Sequence, residues 1–248
     1  MQTTRTLRSV AAACLLLSVT GCATLPPGAA SDPRDPLERY NRAAFAFNDG
    51  LDRAIVRPVA RGYRKVLPDA LEVAISNFWA NAKYPVTIVN DILQGNLPEA
   101  ASGTGRFLLN STVGFAGFGD PASELGLDRR DEDFGQTLGR WGVPPGPYLV
   151  IPIFGPYNLR DAFGTLADDF AEPRHYLEDD STRWWLWAGD RLDRRVRLLD
   201  ADIVLDRAGD RYAFVRSAYL QRREFEVRDG DVPADETILE DPDPSADE

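Results

Sequence analysis

The chain predicts a mainly α-helical protein. Apolar residues recur at three-four spacing in several segments, acids and prolines mark the starts of those segments, and no run alternates strictly between apolar and polar residues. No internal repeat accompanies them.

Taken in order, the first helix opens on Asp35, with Pro36 at the first helical position and Glu38 completing a capping-box arrangement. Leu37, Tyr40, Ala44, Phe47 and Leu51 form its apolar stripe, and Phe45 lies off that stripe. Such a helix either packs in the core or lies against a membrane. Pro58 predicts a break or kink in the segment that follows. After Pro68 and Asp69, the residues Leu71, Ile75, Phe78, Trp79 and Ala82 predict an amphipathic helix, and a separate helix is expected from Pro85 to Leu93, ending near Gly95. Asn96 to Glu99 reads as a further start, leading into RFLLNSTVGFAGFGD, whose small residues permit close helix approach.

The run Asp128 to Asp133 reads as a solvated helix start rather than a metal site, because adjacent acids do not share a helix face. A short helix is expected from Leu159 to Phe170, with Arg160 and Asp161 in its first turn. Glu178 to Asp180 opens another, carrying Trp184, Trp185 and Trp187, which suit either a membrane–water interface or a core cluster. Leu192, Val196, Leu199 and Ile203 continue an apolar stripe, and Asp210 caps a last helix with Tyr212, Val215 and Tyr219 on one face.

Between the helices predicted on either side lies Trp141 to Leu159, WGVPPGPYLVIPIFGPYNL, 19 residues without a charge. Five prolines and three glycines exclude a regular helix. Irregular backbone survives at membrane depth only when packed in protein or lining a wet cavity. The stretch is therefore either a buried core loop or an apolar loop lining a lipid-accessible passage.

The N-terminus reads as a processing segment. Arg5 and Arg8 precede a short apolar run, and Val19-Thr20-Gly21-Cys22 resembles a bacterial lipobox, so residues 1–21 are expected to be a signal peptide and Cys22 the lipidated first residue. Cys14 would leave with the signal, so Cys22 would be the sole thiol of the mature chain; a thioether-linked lipid accounts for it. Residues 22–34 form a linker, 35–228 the helical domain and 229–248 an acidic tail expected to be disordered. That tail holds nine acids and no base. Removing Arg5 and Arg8 takes the net charge from −11 to −13, so residues 22–228 carry about −4. No dense basic stripe is present, which disfavours nucleic-acid binding.

No catalytic set emerges. The single histidine, His175, excludes a His-pair metal site, and neither a G-x-S-x-G elbow nor a phosphate loop occurs. Abundant carboxylates could in principle serve glycoside hydrolysis, but abundance alone identifies no pair. A non-enzymatic protein without metal or cofactor, beyond the lipid on Cys22, is expected.

The runs DPLERYNRAAFAFN, RPVARGY, NDILQG, RFLLNSTVGFAGFGD and FGQTLGRWGVPPGPYLVIPIFGPYNLRD resemble the MlaA (VacJ) family of outer-membrane lipoproteins, from about Asp32 to Phe225. Tyr157-Asn158 departs from the small Ser/Thr residues common in the family there. The resemblance implies a single helical, ring-like domain embedded in the inner leaflet of the outer membrane, around an amphipathic pore. Mislocalised phospholipid would leave the outer leaflet through it and pass to an MlaC-like periplasmic shuttle, with a porin trimer holding the protein in place and an inner-membrane transporter completing the route. Lipid asymmetry would result. On this reading Trp141, Gly142, Gly146, Tyr148, Ile151, Ile153 and Phe154 line the pore loop. Arg140 and Arg160 are headgroup candidates, because a guanidinium matches phosphate oxygens bidentately, or else internal ion pairs with Asp161 as the nearby acid. Phe45, Phe47 and Asn48 match a segment that positions the family's members in the leaflet. A structural lipoprotein scaffolding a porin, or a cell-wall hydrolase, are the alternatives.

Overall fold

The computed structural model describes residues 32–231. The expected signal peptide, Cys22, most of the linker and the tail beyond residue 231 lie outside the described residues. The fold is mainly α, with one two-stranded sheet.

Helix α1 spans Glu38–Leu51 and runs through a π-helical turn, Asp52–Val56, into α2, Arg57–Val66. Asp35 does not cap α1. Its carboxylate is buried and accepts from Asn41 Nδ2 at 2.7 Å, from Arg216 at 2.8 Å and from the Tyr212 hydroxyl, which ties the start of the fold to its last helix. Pro58 does not break the chain either. It sits in the first turn of α2, immediately after the π-turn, whose wider register takes up the local change that the missing N–H imposes.

Helix α3 is a single 25-residue helix, Asp69–Leu93, that continues through Pro85 where two helices were expected. It ends at Gly95, which adopts φ +81°. Helix α4, Leu97–Thr112, packs back along α3, with Gly103 admitting the Tyr84 ring. The short α5, Pro121–Glu124, is capped by Asp120. Helix α6, Phe134–Arg140, is capped by Asp133, whose carboxylate accepts from Gln136 N. The run before it is not simply solvated, because Glu132 is buried and accepts from Gln94 Nε2 at 2.9 Å.

The uncharged stretch contains strands β1, Tyr148–Ile151, and β2, Gly155–Asn158, paired antiparallel with Tyr148 opposite Asn158 and Ile151 opposite Gly155. Strands of four residues, interrupted by proline, are too short to reveal an alternating pattern. Helix α7, Leu159–Ala171, follows under an Asn158 cap. A 3₁₀ turn, Pro173–Tyr176, leads to α8, Asp180–Arg197, capped by Asp179. Helices α9, Asp202–Arg207, and α10, Arg211–Val227, complete the described chain, with Asp210 capping α10.

The interior is polar. Among the described residues 11 apolar residues are buried against 19 polar or charged ones, the reverse of the usual soluble core. Two small apolar clusters stand out among the described residues. One joins Ala44, Tyr148, Val150 and Tyr212; the other joins Ala60, Val196 and Leu199. Elsewhere the helices meet through hydrogen bonds. Asn90 donates to Asp168 at 3.0 Å and accepts from Thr137 Oγ1 at 2.7 Å, joining α3, α6 and α7. The apolar side chains instead face outward. On α7 the exposed residues Leu159, Phe163, Leu166 and Phe170 follow a four-three-four spacing on one face. Leu71 and Ile203, which belong to apolar stripes read from the sequence, are exposed as well. Yet among the described residues no helix is long and apolar enough to cross a membrane.

Asp168 also accepts from Phe134 N at 2.9 Å. Burial pushes its carboxyl up to about 6, against the Phe134 N–H and Asn90, with the charge of Asp133 adding to the rise. A carboxyl raised above its unfolded value of 3.8 stabilises the fold while protonated, and that contribution is lost as pH rises through about 6. Denaturant titrations should therefore show the stability of the wild type, relative to Asp168→Asn, falling by about 1–3 kcal/mol between pH 4 and 7. Parallel pH profiles for the two proteins would contradict this assignment.

Candidate functional site

The β-hairpin is held by side chains of α1. Asn41 and Asn48 lie two turns apart on one face, and both present their amides to the free edge of β1. Asn41 donates to Tyr148 O at 3.0 Å and accepts from Val150 N at 2.8 Å. Asn48 donates to Ile151 O at 3.1 Å and accepts from Ile153 N at 2.7 Å. The asparagines thus take the place of a third strand along the β1 edge. Asn48 also holds the hairpin tip, where Ile153 adopts φ +73°, a conformation that β-branched side chains strongly resist. Ile153 and Phe154 are 55% and 45% exposed.

The base of the hairpin rests on a buried network around Asp161. Its carboxylate accepts from Asn158 Nδ2 at 2.7 Å, Tyr219 Oη at 2.8 Å, Arg223 Nε at 2.7 Å and Arg160 Nε at 3.0 Å. Arg223 reaches on to Asp133 at 2.7 and 2.9 Å, so α6, α7 and α10 converge here. Burial alone would lower the Arg223 pKa, but hydrogen bonds and charge from Asp133 and Asp161 outweigh it and hold the guanidinium charged. Two glycines make the approach possible. A Cβ at Gly135 would sit 2.6 Å from Asp161 Oδ1, and one at Gly164 2.4 Å from Gly135 N.

This network changes the roles open to several predicted residues. Arg160 is 8% exposed and spent on Asp161, so it cannot reach a headgroup. Arg140 pairs with Asp229 at 2.8 Å, an acid that also engages Arg130. Tyr148 lines nothing, because its side chain has no exposed surface and packs with Tyr212 and Tyr219. Phe45 is likewise a core contact, set edge-on to Tyr212. Phe47 is exposed, and Asn48 serves the hairpin. Trp141 is exposed and donates from Nε1 to Leu93 O at 3.1 Å. Gly142 has φ +87° and open space around its Cβ position, whereas a Cβ at Gly146 would meet Leu159 at 3.1 Å. Ile151 is half-buried beside the tip.

Phe154 reaches across to Trp187 of α8, with ring centroids 5.8 Å apart. Two adjoining cavities open there and share Arg174 and Trp187 in their walls. One, of about 200 Å³, is walled mainly by Phe78, Trp79, Ala82, Leu177, Leu186 and Trp187. Lys83 and Asp190 form an ion pair in its wall; burial first, then Arg194, pushes the Lys83 ammonium down to about 8. The other, of about 380 Å³, is ringed by Asp169, Arg174, His175, Asp180, Arg183 and the indoles. Trp184 and Trp185 are exposed rather than clustered in a core. Nothing in the spacing of the charged residues between 169 and 183 singles them out, since it is the turn at 173–176 that brings them together. Among the described residues, no group of acids, histidine or cysteine could hold a metal ion.

Comparison with known proteins gives this arrangement its relatives. The model of the MlaA lipoprotein family matches residues 33–226. A Rickettsia prowazekii protein is 39% identical over 196 residues, 78% of each chain. The Escherichia coli K12 protein named "Intermembrane phospholipid transport system lipoprotein MlaA" is 37% identical over 210 residues, 82% of each chain. A solved structure reported under "Structural basis for maintenance of bacterial outer membrane lipid asymmetry" superposes with a TM-score of 0.71 at 37% identity, covering 78% of this chain and 98% of its own.

Release of the tip tests the Asn48 clamp. Asn48→Ala should leave global stability within about 1–2 kcal/mol of wild type while raising hydrogen exchange at Ile153. Ile153→Gly should relieve the strain and be stabilising in an otherwise wild-type chain. Unchanged exchange in Asn48→Ala would show that the tip is held by something else.

Proposed function

The chain belongs to the MlaA lipoprotein family, and on that premise we propose that it carries mislocalised phospholipid out of the outer leaflet of the outer membrane. In this reading Cys22 bears the lipid anchor and the domain sits in the inner leaflet. The cargo passes through an amphipathic opening beside the hairpin to an MlaC-like periplasmic carrier, and a porin trimer fixes the protein's place. The protein performs no covalent chemistry. It offers a path down which lipid equilibrates, and its partners set the direction.

The inverted distribution of polarity carries this reading. A surface set with outward Phe, Leu and Trp residues around a hydrogen-bonded interior suits an apolar surrounding medium. The hairpin supplies a candidate gate, because its tip is exposed, apolar and fastened to α1 by a single asparagine, while its base is fixed by Asp161.

A deletion strain complemented with variants tests the proposal, with outer-leaflet phospholipid read by a surface-acting phospholipase. Wild type should restore the low surface level; Cys22→Ala should not. Gly142→Asp should raise surface phospholipid with protein amount and location unchanged, since space exists for the side chain and only the loop conformation suffers. Arg160→Glu should instead lower the amount of protein, because it places two acids together in the buried network. Full function of Gly142→Asp would favour a scaffold that merely supports a porin. A deletion with wall defects and normal surface phospholipid would favour a hydrolase.

A further inference from the structure

Side by side, the two cavities differ in chemistry: one has mainly apolar walls with the paired Lys83, Asp190, Glu172 and Arg174 at its margin, and the other carries two guanidinium groups and two carboxylates, Arg174, Arg183, Asp169 and Asp180. We infer that they form one binding site for a zwitterionic phospholipid, with an acyl chain in the apolar chamber and phosphate and ammonium groups among the four charges. This deepens the lipid-transport reading and rests on it.

The balance of charge decides the headgroup. Arg174 pairs with Asp169 at 2.9 Å and also with Glu172 of the adjoining cavity, and Arg183 pairs with Asp180, so acids outnumber guanidinium groups here. A purely anionic headgroup would take the two arginines and leave both acids facing it. A phosphate joined to an ammonium places its oxygens on guanidinium and its ammonium on the carboxylates they release. The exchange costs little, because the acids are 45% and 80% exposed and ion pairs so exposed contribute weakly. Trp184, exposed at the same rim, adds an aromatic face that favours a cation.

The apolar chamber suits the tail. Phe78, Trp79, Leu186 and Trp187 provide its walls, and the Lys83–Asp190 pair is neutralised within itself. Trp187 and Arg174 belong to both chambers, so the boundary between tail and head falls at an indole and a guanidinium. Together the chambers fall in the roughly 300–1,000 Å³ range of small-molecule sites.

Calorimetric titration of the full-length lipoprotein in non-ionic detergent, with lysophosphatidylethanolamine and lysophosphatidylglycerol of equal chain length, tests the site. The ethanolamine lipid should bind about fivefold or more tightly than the glycerol lipid. Asp169→Ala with Asp180→Ala should abolish that preference while retaining binding; both positions are exposed enough to leave the fold intact, which circular dichroism checks. Ala82→Trp, which fills the apolar chamber, should weaken both lipids about tenfold or more. Equal affinities in the wild type, tighter binding of the glycerol lipid, or a preference that survives loss of both acids would overturn the inference. Should surface phospholipid prove independent of the protein while the preference holds, the transport reading fails and the site stands.

Discussion

Asp161 is the constraint on which the described structure turns. Four donors from three segments meet its carboxylate: Asn158 at the end of β2, Arg160 at the start of α7, and Tyr219 and Arg223 of α10. Through Arg223 the same junction reaches Asp133, the cap of α6. A buried carboxylate tolerates such a place only when its partners are complete, and losing one partner of a buried pair typically costs about 3–5 kcal/mol. The hairpin base inherits its position from this junction, and its edge is completed by Asn41 and Asn48. The tip, by contrast, is held by Asn48 and by the packing of Phe154 on Trp187.

The same polar logic extends through the molecule. Where a soluble bundle would bury leucine and isoleucine, this fold buries Asn90, Thr137, Asp161 and Arg106 and turns phenylalanine outward. Hydrogen bonds are directional and specify geometry, so a polar interior can hold short helices and a hairpin in place without a large apolar core. An apolar exterior is tolerable when the medium outside is lipid, as the family reading supplies. Inside and outside have exchanged roles.

That exchange explains what the amino-acid pattern discloses and what it hides. Helix starts are legible, because a cap is a local device: Asp133, Asn158, Asp179 and Asp210 each accept from the backbone N–H three residues on, as short-range chemistry requires. The direction in which a stripe points is not legible. Leu71 and Ile203 have the spacing of core residues and face outward, because periodicity reports an apolar face and says nothing of which side is apolar. Proline misleads for a related reason. Pro58 and Pro85 remain within helical segments since tertiary packing overrides a local preference. The special character of Trp141 to Leu159 is visible from its lack of charge, and Asp161 beside Arg160 is legible as its partner, but the burial of Tyr148 and the completion of the Asp161 network depend on Asn41, Tyr212 and Tyr219, more than 50 residues away. Arg174 and Arg183 gain meaning only from the cavity they border.

The claim that the outward apolar side chains face lipid is open to direct measurement. Residues 23–248 contain no cysteine, so single cysteines can be introduced and spin-labelled in the membrane-reconstituted protein. Labels at Phe163, Leu166 and Phe115 should be accessible to dissolved oxygen and shielded from a water-soluble nickel complex, while a label at Asp180 should show the reverse. If all four positions respond alike and as water-exposed sites, the domain does not sit in the leaflet, and the inverted polarity needs another explanation.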